Sequence, residues 1–463
     1  MTPFANESMT SHAARHLAMS ITSKRWVRAR RVALHVLAGA ATFLALSCKD
    51  ALKVEDPQTF SNEDLNDPAI LSAVANGVEG AFQQIFDDVL VYTELMSDEI
   101  EDTSTWLPWS DMSNGRVRGD WPTAGDFSGA QNGLLRARYA ARNAAARFTK
   151  VLGADASKSK IMAQVKTIEG WTDLINGMSF CESPLDSAGP RAADTELYKQ
   201  AVKEFTDALA IATAAGDVAW ADFARAGRAR ANLLAGNIDA ALADAQGVSA
   251  GFLKQAQYST TSQTSFPGNQ FHQNRNRSGG LRRTFWAMVD TTNNNLSPTP
   301  TQYVKDPWTG QGDPRMAVLH PRGRLGVNNS TPHYSIEKYK DYASPITITS
   351  KREMNLIEAE VYWRKADLTN AIAALNRNRT TAPANLPAFD ATGLTSQDVF
   401  DRLLSERMAE LFVEGHRMTD LDRFNLVTQR LGPGRARKLP LSRDETLNNP
   451  NIFGHPAQCP AIS

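Results

Sequence analysis

Apolar positions along the chain recur at spacings of three and four over long stretches, the mark of amphipathic helices. The pattern predicts a helix over 69–97, where Ile70, Val74, Val78, Phe82, Ile85, Phe86, Val89 and Leu90 share one face. It returns over 129–151 and again over 160–180. From 194 to 250 helical signals alternate with short breaks. Tyr198, Val202, Phe205 and Leu209 lie on one face there, with Ala201 and Ala208 allowing close approach. Ala229, Leu233, Leu234, Gly236, Ile238 and Ala241 follow in the string ARANLLAGNIDAALADA.

Small residues at fixed offsets, with a glycine at the turn, resemble a tetratricopeptide repeat; an ordinary antiparallel helix pair fits the same spacing. Helical pattern resumes over 350–365 and 368–379. Thr395 with Asp398 forms a capping box that opens the final long helix. Val399, Phe400, Leu403, Leu404, Met408, Leu411 and Phe412 make its apolar stripe. Two stretches break the period. Residues 98–127 are rich in Asp, Ser, Gly, Pro and Trp, and 251–335 are polar and interrupted by Trp286, Tyr303 and Trp308. A structureless loop of the second length is unusual, so short strands or a small subdomain are expected within it. The predicted class is all-α, built of tetratricopeptide-like helix pairs with loop-rich insertions.

Composition narrows the field. The 463 residues are 42% apolar, enough for a real core, and 50 basic residues balance 50 acidic ones. That balance gives no reason to expect nucleic acid as a partner. Three cysteines, Cys48, Cys181 and Cys459, neither form a disulfide framework nor space as a metal site. No cofactor or metal is expected. Cys181 and Cys459 fit a pair or two lone thiols equally well. Near the N-terminus, Lys24, Arg25, Arg28, Arg30 and Arg31 precede an apolar run from Val32 to Leu46. At 1.5 Å per residue that run is short of a bilayer core, and a basic region before a short apolar one is the pattern of a signal peptide. Leu44-Ala45-Leu46-Ser47-Cys48 resembles a bacterial lipobox, which predicts acylation at Cys48; an ordinary secretory signal is the alternative. Residues 1–47 thus read as a signal peptide, with Met19 a more typical start, 48–68 as a lipid-anchored tether, and 69–463 as the folded domain carrying 251–335 as its insertion.

The string LLSERMAELFVEGHRMTDLDRF at 403–424 resembles the signature of the SusD/RagB family. Gly312-Asp313-Pro314-Arg315, the helix pair at 353–379 and KLPLSRDETLNNPNI at 438–452 are similar to further elements of that family, in its order. Ser97-Asp98-Glu99 and Ala140-Ala141-Arg142-Asn143 fit as well. The insertion at 251–335 matches least. The resemblance implies an outer-membrane lipoprotein facing the cell exterior. Such proteins cap a TonB-dependent transporter of the SusC type and bind glycans or other nutrients without catalysis.

Two groups of residues invite a chemical reading. Glu406, Glu410 and Glu414 recur every four residues with His416 beside them, as in an acid–base or metal site. Arg402, Arg407, Arg417 and Arg423 are interleaved, and arginine lowers a carboxylate's pKa and occupies its lone pairs. Structural ion pairs through Glu406, Arg407, Glu410, Glu414 and Arg417 are therefore expected, with His416 a buried structural side chain. Asp98, Glu99, Glu101 and Asp102 offer only a weak glycosidase signal, since four acids in five residues arise on any loop edge. The tryptophans say more. A sugar ring presents an apolar C–H face that an aromatic side chain covers while polar neighbours take the hydroxyls. Trp106 and Trp109 are the first candidates, beside Ser110, Asp111 and Asn114. Trp121, Tyr303 and Trp308 follow, each with loop anchoring as the plainer alternative.

Three functions compete: a surface nutrient-binding lipoprotein, a secreted helical glycoside hydrolase or lyase, and a peptide-binding tetratricopeptide scaffold. The hydrolase needs a carboxyl pair with split pKa values, and no convincing candidate stands out. The lipobox and the C-terminal signature oppose a cytoplasmic scaffold.

Overall fold

The computed structural model describes residues 63–121, 124–186, 188–260, 278–289, 302–320, 323–455 and 459. The signal peptide, Cys48 and most of the expected tether lie outside them. Glu63–Ser463 form one compact unit. Helix α1 spans Leu71–Met96, and Asp67 caps the short turn Pro68–Ile70 that leads into it, accepting from the Ala69 amide. Helix α2 is Leu107–Ser113, α3 is Gly125–Leu152 and α4 is Lys160–Ser179. Helix α4 is buried on nearly every side from Met162 to Ser179, as a helix at the centre of a large core must be.

Helices α5 (Asp194–Ala214), α6 (Val218–Leu234) and α7 (Ile238–Gly247) continue the stack, as do α8 (Lys351–Arg364), α9 (Leu368–Arg379) and α10 (Ser396–Glu410). Phe205 of α5 wedges between α4 and α6: a Cβ on Gly170 or Gly227 would stand 2.8 or 2.3 Å from its ring. Trp171 stacks on Phe223 with centroids 5.1 Å apart and meets Phe205 edge-on. Three helix pairs close through one turn. Gly216, Gly236 and Ala366 take positive φ (65°, 83° and 57°). The next amides, of Asp217, Asn237 and Asp367, bond back to the carbonyls of Ala212, Asn232 and Tyr362. This is the Schellman arrangement, which satisfies the last helical carbonyls. Asp217 and Asp367 then cap the following helix through their side chains. The class is all-α with tetratricopeptide-like pairs.

The loop-rich stretches fold as short strands. Strands β1 (Ile100–Asp102) and β5 (Gly279–Leu281) pair antiparallel, as do β2 (Glu182–Pro184) and β3 (Arg191–Ala193). Strand β4 (Leu253–Ala256) pairs with β9 (Ile346–Ser350), and β6 (Gln302–Lys305), β7 (Gly312–Leu319) and β8 (Ser335–Ile336) form a three-stranded sheet. The insertion is therefore no separate subdomain: β5 pairs into the 98–127 stretch and β4 pairs beyond residue 335. The final long helix ends earlier than its apolar stripe. Val413 and Gly415 adopt positive φ, and Lys338 and the Tyr339 hydroxyl donate to the carbonyls of Phe412 and Val413. Short helices α11 (Arg417–Arg423), α12 (Val427–Leu431) and α13 (Arg443–Asn448) complete the chain. Cys181 and Cys459 are bonded as a disulfide, with Cα atoms 5.7 Å apart. Among the described residues no helix is long and apolar enough to cross a membrane.

Candidate functional site

Glu406 and Glu410 of α10 and Glu414 in the turn after it are each paired with cations from other elements. Glu406 accepts from Arg315 and Arg379, each at 2.7 Å, one on each carboxylate oxygen. Arg315 also holds Asp313, and Arg379 binds both oxygens of Asp306. Glu410 accepts from Arg315 at 3.2 Å and Arg352 at 2.7 Å. Burial pushes the Glu410 carboxyl up, and the hydrogen bonds and charges of Arg352 and Arg315 outweigh it, holding it below the usual range. Arg407 grips Asp420 through two bonds, at 2.7 and 2.9 Å. Glu414 lies past the helix end, not on the face of Glu406 and Glu410, and pairs with Lys338 at 2.8 Å. The interleaved arginines do not serve their own helix's glutamates: Arg402 lies over the Trp308 ring and Arg423 reaches Glu360. His416 is buried, and its pKa is pushed down to about 3, first by burial and then by Arg230. It is neutral at physiological pH and offers no acid catalyst.

Ser97-Asp98-Glu99 docks onto the same turn. Asp98 binds Arg417 through two bonds at 2.6 and 2.8 Å, Glu99 accepts from the Val413 amide, and Glu94 accepts from the Gly415 amide. Glu94 and Glu99 lie side by side, and burial raises both, Glu94 to about 7. A carboxyl pair of that kind is what hydrolysis needs. This one is sealed: the two residues are 0% and 1% exposed.

The aromatic candidates part company. Trp106 is 56% exposed, and its indole N–H donates to Asp126 at 2.8 Å. Asp88 stands nearby, raised to about 6 by burial and then by the Asp126 charge. Trp109 is a correction. It lies within α2, 8% exposed, in the main core, and a Cβ on Gly279 of β5 would meet its ring at 3.3 Å. A helix of seven residues is too short for its apolar period to be read against the surrounding polar positions. Trp121 is half-buried, with the Arg118 guanidinium 5.8 Å over its ring, and faces a cavity of about 740 Å³. Tyr303 is half-buried on β6 with its Cβ packed against Gly312. Trp308 is 40% exposed between Arg402, 4.3 Å over its ring, and the edge of Phe389. It lines a second cavity of about 400 Å³ with Met288, Met316 and Met408, which Asp306, Arg315 and Glu406 also border. Among the described residues no ring contact joins Trp106, Trp121 and Trp308.

One aromatic assembly escaped the sequence reading. Trp286, Tyr334 and His320 stack face to face, with centroids 5.0 and 3.8 Å apart, all half-buried. The Trp286 N–H is fixed on the Leu281 carbonyl. The three positions are too far apart in sequence for any local pattern to unite them; the one signal was a tryptophan in a polar stretch.

Residues 330–450 match the family model described as the SusD family. No curated protein matches the chain. Several solved structures share the fold. A SusD superfamily protein from Bacteroides vulgatus ATCC 8482 is 14% identical with a TM-score of 0.59, over 78% of this chain and 89% of its own. A SusD-like carbohydrate binding protein from the same organism is 14% identical with a TM-score of 0.57, over 77% and 83%. A laminarin binding SusD-like protein is 15% identical with a TM-score of 0.53, over 82% and 98%. At such identities the likeness is one of fold, and over residues 330–450 the chain is also similar in sequence to the SusD family.

Proposed function

We propose that the protein binds glycans without catalysis and passes them to a TonB-dependent transporter of the SusC type, held to the outer membrane by acylation at Cys48 and facing the cell exterior. The observation that carries the binding reading is Trp106. More than half of the side chain is open while its N–H is tied to Asp126, so the ring is held still for stacking. Asp88 and Tyr92 lie close enough to Asp126 to feel its charge and supply acceptors for hydroxyls. One structural neighbour is a laminarin binding SusD-like protein, which supports the ligand class. Binding without catalysis is supported by the acids of the signature, where Glu406 and Glu410 are held by arginines and Glu414 by Lys338, and by the burial of the raised Glu94–Glu99 pair. A disulfide suits a compartment outside the cytoplasm.

The test is calorimetry against a polysaccharide panel, with product analysis of the same mixtures. A cognate glycan is retained uncleaved. Trp106→Ala, with folding checked by circular dichroism, weakens it at least tenfold, since losing a stacking aromatic at a hot spot costs about 2 kcal/mol or more. Equal affinity in the variant assigns the ring to loop anchoring, and product release restores the hydrolase reading.

A further inference from the structure

The cavity beside Trp121 holds an unbalanced charge. Its wall includes Arg116, Arg118, Arg435, Arg437 and Lys438. Four of these have a carboxylate: Arg118 pairs with Asp120, Arg437 with Asp422, Lys438 with Asp194, and Arg116 with Asp111 at 3.5 Å. Arg435 has none among the described residues. Its Nη2 donates to two backbone carbonyls, Ser113 at 2.7 Å and Met96 at 3.3 Å, and its Nε is buried without an acceptor. The Ser113 carbonyl is shared. Arg282 donates to it at 3.0 Å from behind, and Arg282 too reaches only carbonyls, those of Ser97 and Ile100. Two guanidiniums thus converge on one neutral oxygen. Burial and then the Arg282 charge push the Arg435 pKa down to about 10.

Three buried arginines of this chain each have a carboxylate. Arg230 has Glu353, Arg379 has Asp306 and Arg417 has Asp98. A desolvated cation without a counter-charge is costly, and an arriving anion removes that cost. The rest of the wall suits a sugar. Trp121 supplies an aromatic ring, half-buried beside the cations, and about 740 Å³ falls within the ~300–1,000 Å³ of small-molecule sites.

We propose that this cavity binds an anionic sugar unit, a uronate or a sulfate ester, with its ring against Trp121 and its acid group on the guanidinium of Arg435. The site is distinct from the Trp106 surface, and it rests on the glycan reading only for the sugar half of its ligand. Arginine is suited to both acid groups, because its planar fork offers parallel donors to carboxylate or sulfate oxygens.

Calorimetry on the full chain at low salt tests it, with galacturonate and galactose 6-sulfate oligosaccharides against the neutral galactose oligosaccharide and inorganic sulfate. One of the two anionic sugars binds at least tenfold more tightly than the neutral one and than sulfate, and the arm that binds identifies the acid group. Arg435→Gln removes that preference while Trp106→Ala keeps it. Should Arg435→Gln fail to fold, Trp121→Ala serves as the second variant and weakens the anionic sugar by a similar factor. Equal binding of anionic and neutral sugars overturns the proposal, and inorganic sulfate binding as tightly as the sulfated sugar overturns its assignment to a sugar. A glycan that depends on Trp106 while neither anionic sugar binds leaves the glycan reading standing and sinks this one. Anionic binding that survives both Arg435→Gln and Trp121→Ala places the ligand elsewhere and overturns it as well.

Discussion

Glu406 offers one oxygen to Arg315 and the other to Arg379, and all three side chains are nearly inaccessible to water. Removing the carboxylate leaves Arg379 with Asp306, and Arg315 with Asp313 and Glu410, and a broken buried pair costs roughly 3–5 kcal/mol. Glu406→Ala is therefore expected to lower the melting temperature by many degrees; an unchanged melt with lost ligand binding would assign Glu406 to the ligand instead. Glu94 presents the opposite case, a buried carboxyl with no cation in its hydrogen-bond set. Its pKa in the fold is about 7 against 4.5 for a free side chain, raised by burial and held back in part by its bonds to Glu99, Ser97 and the Gly415 amide. A raised folded-state value means that the native state keeps a proton the unfolded chain has lost. Its stabilisation is complete below pH ~4.5 and disappears as pH rises through about 7. Glu94→Gln keeps an acceptor for Gly415 and carries no charge, so its urea stability falls less steeply between pH 5 and pH 8 than the parent's. Parallel slopes in the two proteins would refute a titrating Glu94.

Helix-pair turns set the next scale. Gly216 and Gly236 reach positive φ at little cost, but Ala366 occupies the same place with a Cβ. A left-handed L-residue costs roughly 1–2 kcal/mol, offset in part by the greater freedom glycine has when unfolded. Ala366→Gly is expected to raise stability by up to ~1 kcal/mol, read as a shift of the denaturation midpoint at unchanged slope. The helices themselves were legible, because the burial of Val78, Phe82, Phe86 and Val89 repeats the period that their sequence displays. Thr395 and Asp398 were legible too, since a capping box is complete within four residues. The end of α10 was not. Its stripe continues through Leu411 and Phe412, and only the distant Lys338, Tyr339, Glu94 and Glu99 divert the backbone into a turn. Trp109 met the same kind of limit: a stretch read as loop from its composition holds a helix that packs on α1 and β1, with the Trp109 ring close to Gly279 of β5, far along the chain.

Across the whole chain 50 basic residues balance 50 acidic ones; without residues 1–47, which hold six basic residues and one acidic, the remainder is slightly acidic, so the recognition proposed above rests on local surfaces, Trp106 and the cavity of Arg435. Sequence could name the arginines and glutamates of the C-terminal signature but not their partners, because Glu406 and Arg315 are 91 residues apart. The proposed placement at a membrane turns on Cys48. If it carries the acyl chains, Cys48→Ala releases the protein from outer-membrane fractions as soluble or unprocessed chain; a variant that still sediments with the membranes locates the anchor elsewhere. The bond between Cys181 and Cys459 spans 278 residues of sequence and so makes most of the folded unit one covalent ring. If the protein faces the cell exterior as proposed, among proteases, it gains from that geometry. A single scission anywhere in the ring, including the long insertion, turns a circle into a line without freeing either piece, so the nicked molecule migrates as two fragments only after its disulfide is reduced.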